Sequence, residues 1–176
     1  MTAMGDDGSR VWIVEAAHGD SILSFEIYEA FGGPTAPGDV EMTEAETSYE
    51  TCGTCLVLQT GCVAHNDHFD CERTFMPRAE GQLRIDAISP NAGEQFSGEA
   101  LGLVFQEVVI GDNFQTDVVS GGALIALDPW SFDITLVAFS DAAEDCGGHG
   151  QPHGDHCDCD PGYRVDPDNP LMCIPV

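Results

Sequence analysis

Lysine does not occur in this sequence, and five arginines stand against 31 aspartates and glutamates, for a formal net charge of −26. A phosphate backbone needs a basic face to displace its counterions, so nucleic acid is excluded as a partner. Anionic membrane surfaces are excluded by the same deficit. No apolar run approaches the roughly 18 residues that a membrane span requires. N-linked sugar has no acceptor, because no Asn-x-Ser/Thr triplet occurs. Met1-Thr-Ala-Met-Gly-Asp-Asp lacks a basic n-region and Val11-Trp-Ile-Val is too short for an h-region, so neither reads as an export signal.

Helical periodicity is nearly missing as well; only Glu94–Leu101 carries a helical spacing. What fills the chain instead is short alternation. Val11–Glu15 is a brief apolar run, and Ser21–Tyr28 sets Leu23, Phe25 and Ile27 on one face with Ser24, Glu26 and Tyr28 opposite. Further strands are expected at Asp39–Thr43, after Cys55, over Glu72–Met76, at Gly81–Ile88 with Leu83, Ile85 and Ala87 inward, and at Gly121–Leu127. Phe132, Ile134, Leu136 and Ala138 share a face, and the more uniform Leu101–Ile110 reads as a central strand covered on both sides. Eight or more such strands with Gly/Pro punctuation predict an all-β chain, an antiparallel sandwich or jelly roll. We expect a terminal segment 1–9 that has no reason to order by itself, a sandwich over 10–141, and a small disulfide-rich appendix over 142–176.

The eight cysteines are even in number, which favours disulfides and an oxidising, extracellular or cell-surface location. Cys52, Cys55, Cys62 and Cys71 admit a four-thiolate zinc reading, but the eight-residue gap before Cys71 is wide for a zinc knuckle. Two disulfides among these four are expected. Because cysteines so close together rarely bridge each other, Cys52 and Cys55 are each expected to take Cys62 or Cys71.

Phe31-Gly-Gly-Pro-Thr-Ala-Pro-Gly, Tyr49-Glu-Thr-Cys-Gly-Thr-Cys-Leu-Val-Leu, Cys71-Glu-Arg-Thr-Phe and Gly81-Gln-Leu together resemble a group of uncharacterised exported β-rich bacterial envelope proteins. The resemblance spans roughly residues 20–125. It implies an envelope or extracellular location and brings no catalytic residues with it.

Four cysteines and three histidines crowd the 28 residues Cys146–Cys173, separated by Gly, Pro and Asp. Such a segment cannot bury enough apolar surface to hold itself together, so cross-links must do so. Glycines around His149, with Pro152 and Gly154, leave the backbone free to turn the rings of His149, His153 and His156 inward. Three neutral imidazoles suit Cu²⁺, Zn²⁺ or Ni²⁺, with copper favoured by the affinity order, and Asp155 or Asp158 can orient a ring. Isolated histidines in such a loop are commonly just solvated, but here three fall within eight residues. His65 and His68, in a polar loop between cysteines, and His18, at a strand end, are weaker candidates for the same chemistry. Asp160, Asp166, Asp168 and Asn169 hint at calcium without the EF-hand spacing.

Cys157-Asp-Cys159-Asp-Pro-Gly162-Tyr163, closed by Cys173, resembles the second half of an EGF-like module. That resemblance implies the pair Cys159–Cys173 and, with it, Cys146–Cys157. Four cysteines replace the usual six, so neither receptor binding nor calcium binding is carried over.

These features point to an extracellular structural or metal-binding protein rather than an enzyme, self-associating into a homo-oligomer or polymer by addition of a strand such as Val11–Glu15. A secreted copper or zinc redox enzyme is the alternative, though no nucleophile elbow and no free thiol is in evidence. A calcium- or sugar-binding adhesion module is the third, with Trp12 and Trp130 as the aromatic residues to watch.

Overall fold

The computed structural model describes residues 2–4, 9–65, 69–137, 146, 149–153, 156–166 and 169–176, with the backbone alone for 2–4, 150–153, 156, 158, 166 and 169–172. The strands in chain order are β1 (Thr2–Met4), β2 (Arg10–His18), β3 (Ser21–Tyr28), β4 (Gly38–Glu41), β5 (Thr54–Thr60), β6 (Val63–Ala64), β7 (Phe69–Asp70), β8 (Arg73–Pro77) and β9 (Gln82–Ala87). They continue with β10 (Gln95–Leu101), β11 (Val104–Ile110), β12 (Thr116–Val118), β13 (Leu124–Ala126) and β14 (Trp130–Thr135). The last four are β15 (Gly150–His153), β16 (His156–Cys159), β17 (Tyr163–Asp166) and β18 (Asn169–Pro175). Among the described residues no helix is long and apolar enough to cross a membrane.

Two antiparallel sheets face each other. One runs β1-β2-β3-β5-β8-β11-β12, with β13 also on β11, and the other runs β14-β10-β9-β4. Trp12, Phe25, Leu56, Phe75 and Phe105 from the first sheet and Leu83, Ile85, Phe96 and Phe132 from the second form one buried cluster. Each such side chain contributes on the order of 2 kcal/mol through the apolar area it removes from water. At the centre the rings of Phe25, Phe96 and Phe132 lie 4.9 to 5.5 Å apart. Trp12 satisfies its indole N–H on the Ser89 carbonyl, 2.7 Å away, tying β2 to the loop after β9.

The expected alternation holds where one face is apolar. Phe25, Ile27, Leu83 and Ile85 point into the core, as do Phe132 and Leu136, while Ala138 lies outside the described residues. Glu94–Leu101 is a correction: it forms β10, central between β9 and β14. Its burial alternates every second residue through Phe96, Gly98 and Ala100. A side chain at Gly98 would run into the Arg84 carbonyl and the Phe132 ring, so the glycine lets neighbouring strands close up. The apolar stretch Leu101–Ile110 breaks at Gly102, whose φ of 65° turns the chain from one sheet to the other. Its remainder, β11, lies between β8 and the β12 and β13 strands and is buried on both faces, Phe105 in the main core on one and Val108 with Cys52, Cys55 and Met76 on the other, although Val109 at its end is 59% exposed.

The N-terminal segment is not wholly irregular, because Thr2–Met4 pair with Arg10–Trp12. Val11–Glu15 lies within β2 and pairs along its length with β3. The chain divides into two units, Met1–Val63 with Asp70–Ala138, and Ala64–Phe69 with Phe139–Val176.

Cysteine pairing in the first cluster also departs from expectation: the bonds are Cys52–Cys55 and Cys62–Cys71. Strand β5 explains it. Cys55 stands at one end and Cys62 beyond the other, and seven extended residues put roughly 23 Å between them, far beyond what a disulfide can span.

Candidate functional site

In the C-terminal unit the cystines are Cys146–Cys157 and Cys159–Cys173, the pairs that the EGF-like spacing implies. Strands β15 and β16 form a hairpin with Gly150 opposite Cys159, Pro152 opposite Cys157, and His153 directly opposite His156. The pairing extends one step past the hairpin's open end, where the Asp160 N–H donates to the His149 carbonyl at 2.9 Å. The His149 ring stacks on Tyr163, with centroids 3.9 Å apart and planes 13° from parallel.

This geometry separates the three histidines. His149 stands at the mouth of the hairpin and His153 at its turn, four extended residues or roughly 13 Å along the strand. An extended strand, rather than the inward-curling loop expected, therefore pairs His153 with His156 and leaves His149 to Tyr163. The side chains of His153 and His156 lie outside the described residues. So does His68, whereas His65 is exposed after β6 and His18 is exposed at the end of β2, opposite Ser21 in the turn. Asp160 is exposed, and the side chains of Asp166, Asp168 and Asn169 are not among those described.

One grouping that sequence reasoning did not anticipate is sulfur. Sγ of Cys146, Cys157 and Cys173, all buried, lie within 4.8 Å of one another. Three sulfurs so placed can hold a metal ion as thiolates. In the oxidised protein each belongs to a cystine and lacks the charge that makes a thiolate a ligand.

The sandwich carries a second feature missed in the sequence, an aromatic cleft on the outer face of the large sheet. Strand alternation that buries Phe25 and Ile27 turns Glu26 and Tyr28 outward. A 3-10 turn, Glu29–Phe31, follows β3 and presents Phe31, 61% exposed. Gly33 and Gly53 then pack backbone to backbone, and the Tyr28 N–H donates to the Gly53 carbonyl at 2.8 Å, which brings the Cys52–Cys55 loop beside Phe31. Tyr49 is held by its own N–H, donated to Thr116 Oγ1 at 2.9 Å. Across from it Phe114 projects from the turn between β11 and β12, its ring 5.8 Å from that of Tyr49.

Two contiguous cavities result. The first, of about 350 Å³, is lined by Tyr28, Phe31, Tyr49, Glu50, Cys52 and Phe114. The second, of about 510 Å³, shares Tyr49 and Phe114 and adds the carboxylates Glu15, Glu26 and Asp112. At their boundary both phenol hydroxyls donate to Glu26 Oε2, at 2.5 Å from Tyr28 and 2.8 Å from Tyr49. Burial pushes both phenols above their ordinary pKa, and the neighbouring Glu26 carboxylate pushes them further.

Phe114 has a φ of 63°, in the left-handed region that a bulky L-residue avoids at a cost of about 1–2 kcal/mol. It is held there by the turn bonds Phe114 N–H to Gly111 carbonyl, 2.8 Å, and Gly111 N–H to Gln115 carbonyl, 2.9 Å. Residues held in such backbone regions cluster at functional sites, and this one stands at a cavity wall. The sequence signal was available: an aromatic inside Gly111-Asp-Asn-Phe-Gln115, where turn residues belong.

Compared with protein families, with curated proteins and with solved structures, the chain matches none.

Proposed function

We propose that this chain is an extracellular structural protein of an envelope or surface assembly that takes up a transition-metal ion, copper in preference to zinc, at the β15–β16 hairpin. The observation that carries the reading is the register: His153 lies directly across from His156, in a hairpin whose strands are tied down by Cys146–Cys157 and Cys159–Cys173. Directly opposed residues have Cβ atoms about 5 Å apart, close enough for two imidazoles to chelate one ion. Stacking of His149 on Tyr163 assigns that residue to packing.

The location rests on chemistry. All eight cysteines are oxidised, a state that cytosolic thiol buffers reverse and extracellular conditions preserve. The Cys159–Cys173 bond supports reading residues 146–173 as a truncated EGF-like module. Self-association draws support from the apolar residues exposed on the β11–β12–β13 side of the large sheet, Val109, Val118 and Leu124, each 59–60% exposed. Exposed apolar residues on strands near a sheet edge invite a neighbouring copy.

Elemental analysis of protein purified without chelator is the test. One copper or zinc per chain is expected, lost in His153→Ala and in His156→Ala and retained in His149→Ala. Metal-free native protein, or metal content indifferent to His153 and His156, would overturn the proposal.

A further inference from the structure

We infer that the cavity framed by Tyr28, Phe31, Tyr49 and Phe114 binds a quaternary ammonium head group. This site is independent of the metal proposal and lies wholly within the sandwich unit.

Four aromatic rings in several orientations surround the space. Phe31 stands at 89° to Tyr28 with centroids 6.2 Å apart, and Phe114 is inclined 38° to Tyr49. Rings set at angles enclose a compact, roughly spherical group, whereas a flat sugar ring wants one exposed platform and several hydrogen-bonding partners. Such partners are few on the first cavity's described lining: both phenol hydroxyls donate to Glu26, which leaves the Glu50 carboxylate as an acceptor and no basic or amide donor side chain. A head group with no N–H to satisfy fits walls that offer ring faces and few free acceptors.

Charge then selects a cation over a neutral apolar ligand. Glu50 stands at the cavity, Glu26 backs the two tyrosines, and Glu15 and Asp112 line the adjoining trough. None of the described lining residues is basic, and the chain as a whole carries −26. A neutral guest would dehydrate carboxylates without compensation, while a methylated ammonium gains from both the carboxylates and the negative ring faces. The cavity's volume of about 350 Å³ falls within the range usual for small-ligand sites. Phe114, kept at a strained φ of 63° and 59% exposed, supplies the outer wall.

Titration of the full chain with choline at low ionic strength, followed by calorimetry and by the N-methyl proton shifts, tests the assignment. Choline and tetramethylammonium should bind at least about tenfold more tightly than the neutral isostere 3,3-dimethylbutan-1-ol. Their N-methyl protons should move upfield under the aromatic rings. Phe114→Ala and Phe31→Ala, both at exposed positions, should each weaken binding about fivefold or more, and Glu50→Gln should weaken it less. Binding should persist in EDTA and in His153→Ala, which separates this site from the hairpin. Equal affinity for the neutral isostere, equal affinity for sodium, an absence of binding, or affinity that survives the double replacement of Phe31 and Phe114 by Ala would each overturn the inference.

Discussion

Gly33 and Gly53 lie backbone against backbone: a methyl group on Gly53 would stand 2.7 Å from the Gly33 amide nitrogen and 2.7 Å from the Phe31 carbonyl oxygen. Both obstacles are main chain, which cannot swing aside as a side chain can. Gly53→Ala should therefore destabilise the protein by about 2 kcal/mol or more and displace Phe31 from the cleft. Urea denaturation measures the first effect. Unchanged stability would mean that the two loops separate freely and do not define the cavity.

The Glu26 carboxylate and its two phenols should make the fold sensitive to alkali. Folding raises the pKa of Tyr28 and of Tyr49, first through burial and then through Glu26. The folded state thus holds these protons more tightly than the unfolded chain, whose phenols ionise near pH 10. The resulting stability is complete below about pH 10 and is lost as pH climbs through the raised values. Of the three tyrosines, Tyr28 and Tyr49 should resist phenolate formation until unfolding begins. In Glu26→Gln both should ionise earlier, though still late, since burial remains. Ionisation of Tyr28 and Tyr49 near pH 10 in the folded protein would refute this.

The appendix should depend on its cystines far more than the sandwich does. Its described buried side chains are cysteines, Cys146, Cys157 and Cys173, with Cys159 and Tyr163 packed against them. A cross-link at a sequence separation of 14, as in Cys159–Cys173, stabilises by about 3 kcal/mol through the entropy it removes from the unfolded chain. Replacing both Cys159 and Cys173 by Ser should abolish slow hydrogen exchange in β15 to β18 while β3, β5, β8 and β10 stay protected. Loss of protection in the sandwich strands of the same variant would show that one cooperative unit had been mistaken for two.

How much of this was legible follows from where each signal resides. Strand β3 announces itself because Phe25 and Ile27 alternate with Glu26 and Tyr28, a pattern confined to eight residues. Strand β10 does not, because Phe96, Ala100 and Leu101 also sit at helical spacings, and only the neighbours β9 and β14 decide between the periods. The Cys52–Cys55 bond was misjudged because local spacing says nothing of how far β5 carries the chain before Cys62. The cleft lay further out of reach: Tyr28, Tyr49 and Phe114 come from a strand and two distant loops, and Tyr49 is placed by a bond to Thr116 across 67 residues. Sequence gathered the histidines by proximity, but a hairpin keeps near residues far apart when they lie on one strand.

Phe114 poses the sharpest trade between stability and function. Asparagine tolerates the left-handed region that Phe114 occupies, so Phe114→Asn should recover much of the roughly 1–2 kcal/mol of backbone strain. Against that stands the lost contact with Tyr49, worth about 0.5–1.5 kcal/mol for an aromatic pair and less for a ring 59% exposed. The balance predicts a variant as stable as the native protein or slightly more so, by up to about 1 kcal/mol, with choline affinity lowered about fivefold or more, as in Phe114→Ala. Thermal denaturation and the ligand titration, run on the same preparation, check both halves. A fall of more than about 1 kcal/mol would place the ring among the groups that hold the fold together. A residue whose removal costs the fold nothing and weakens the hold of the cleft on its ligand is retained for what it binds, and its strained backbone then has its explanation in the cavity it closes.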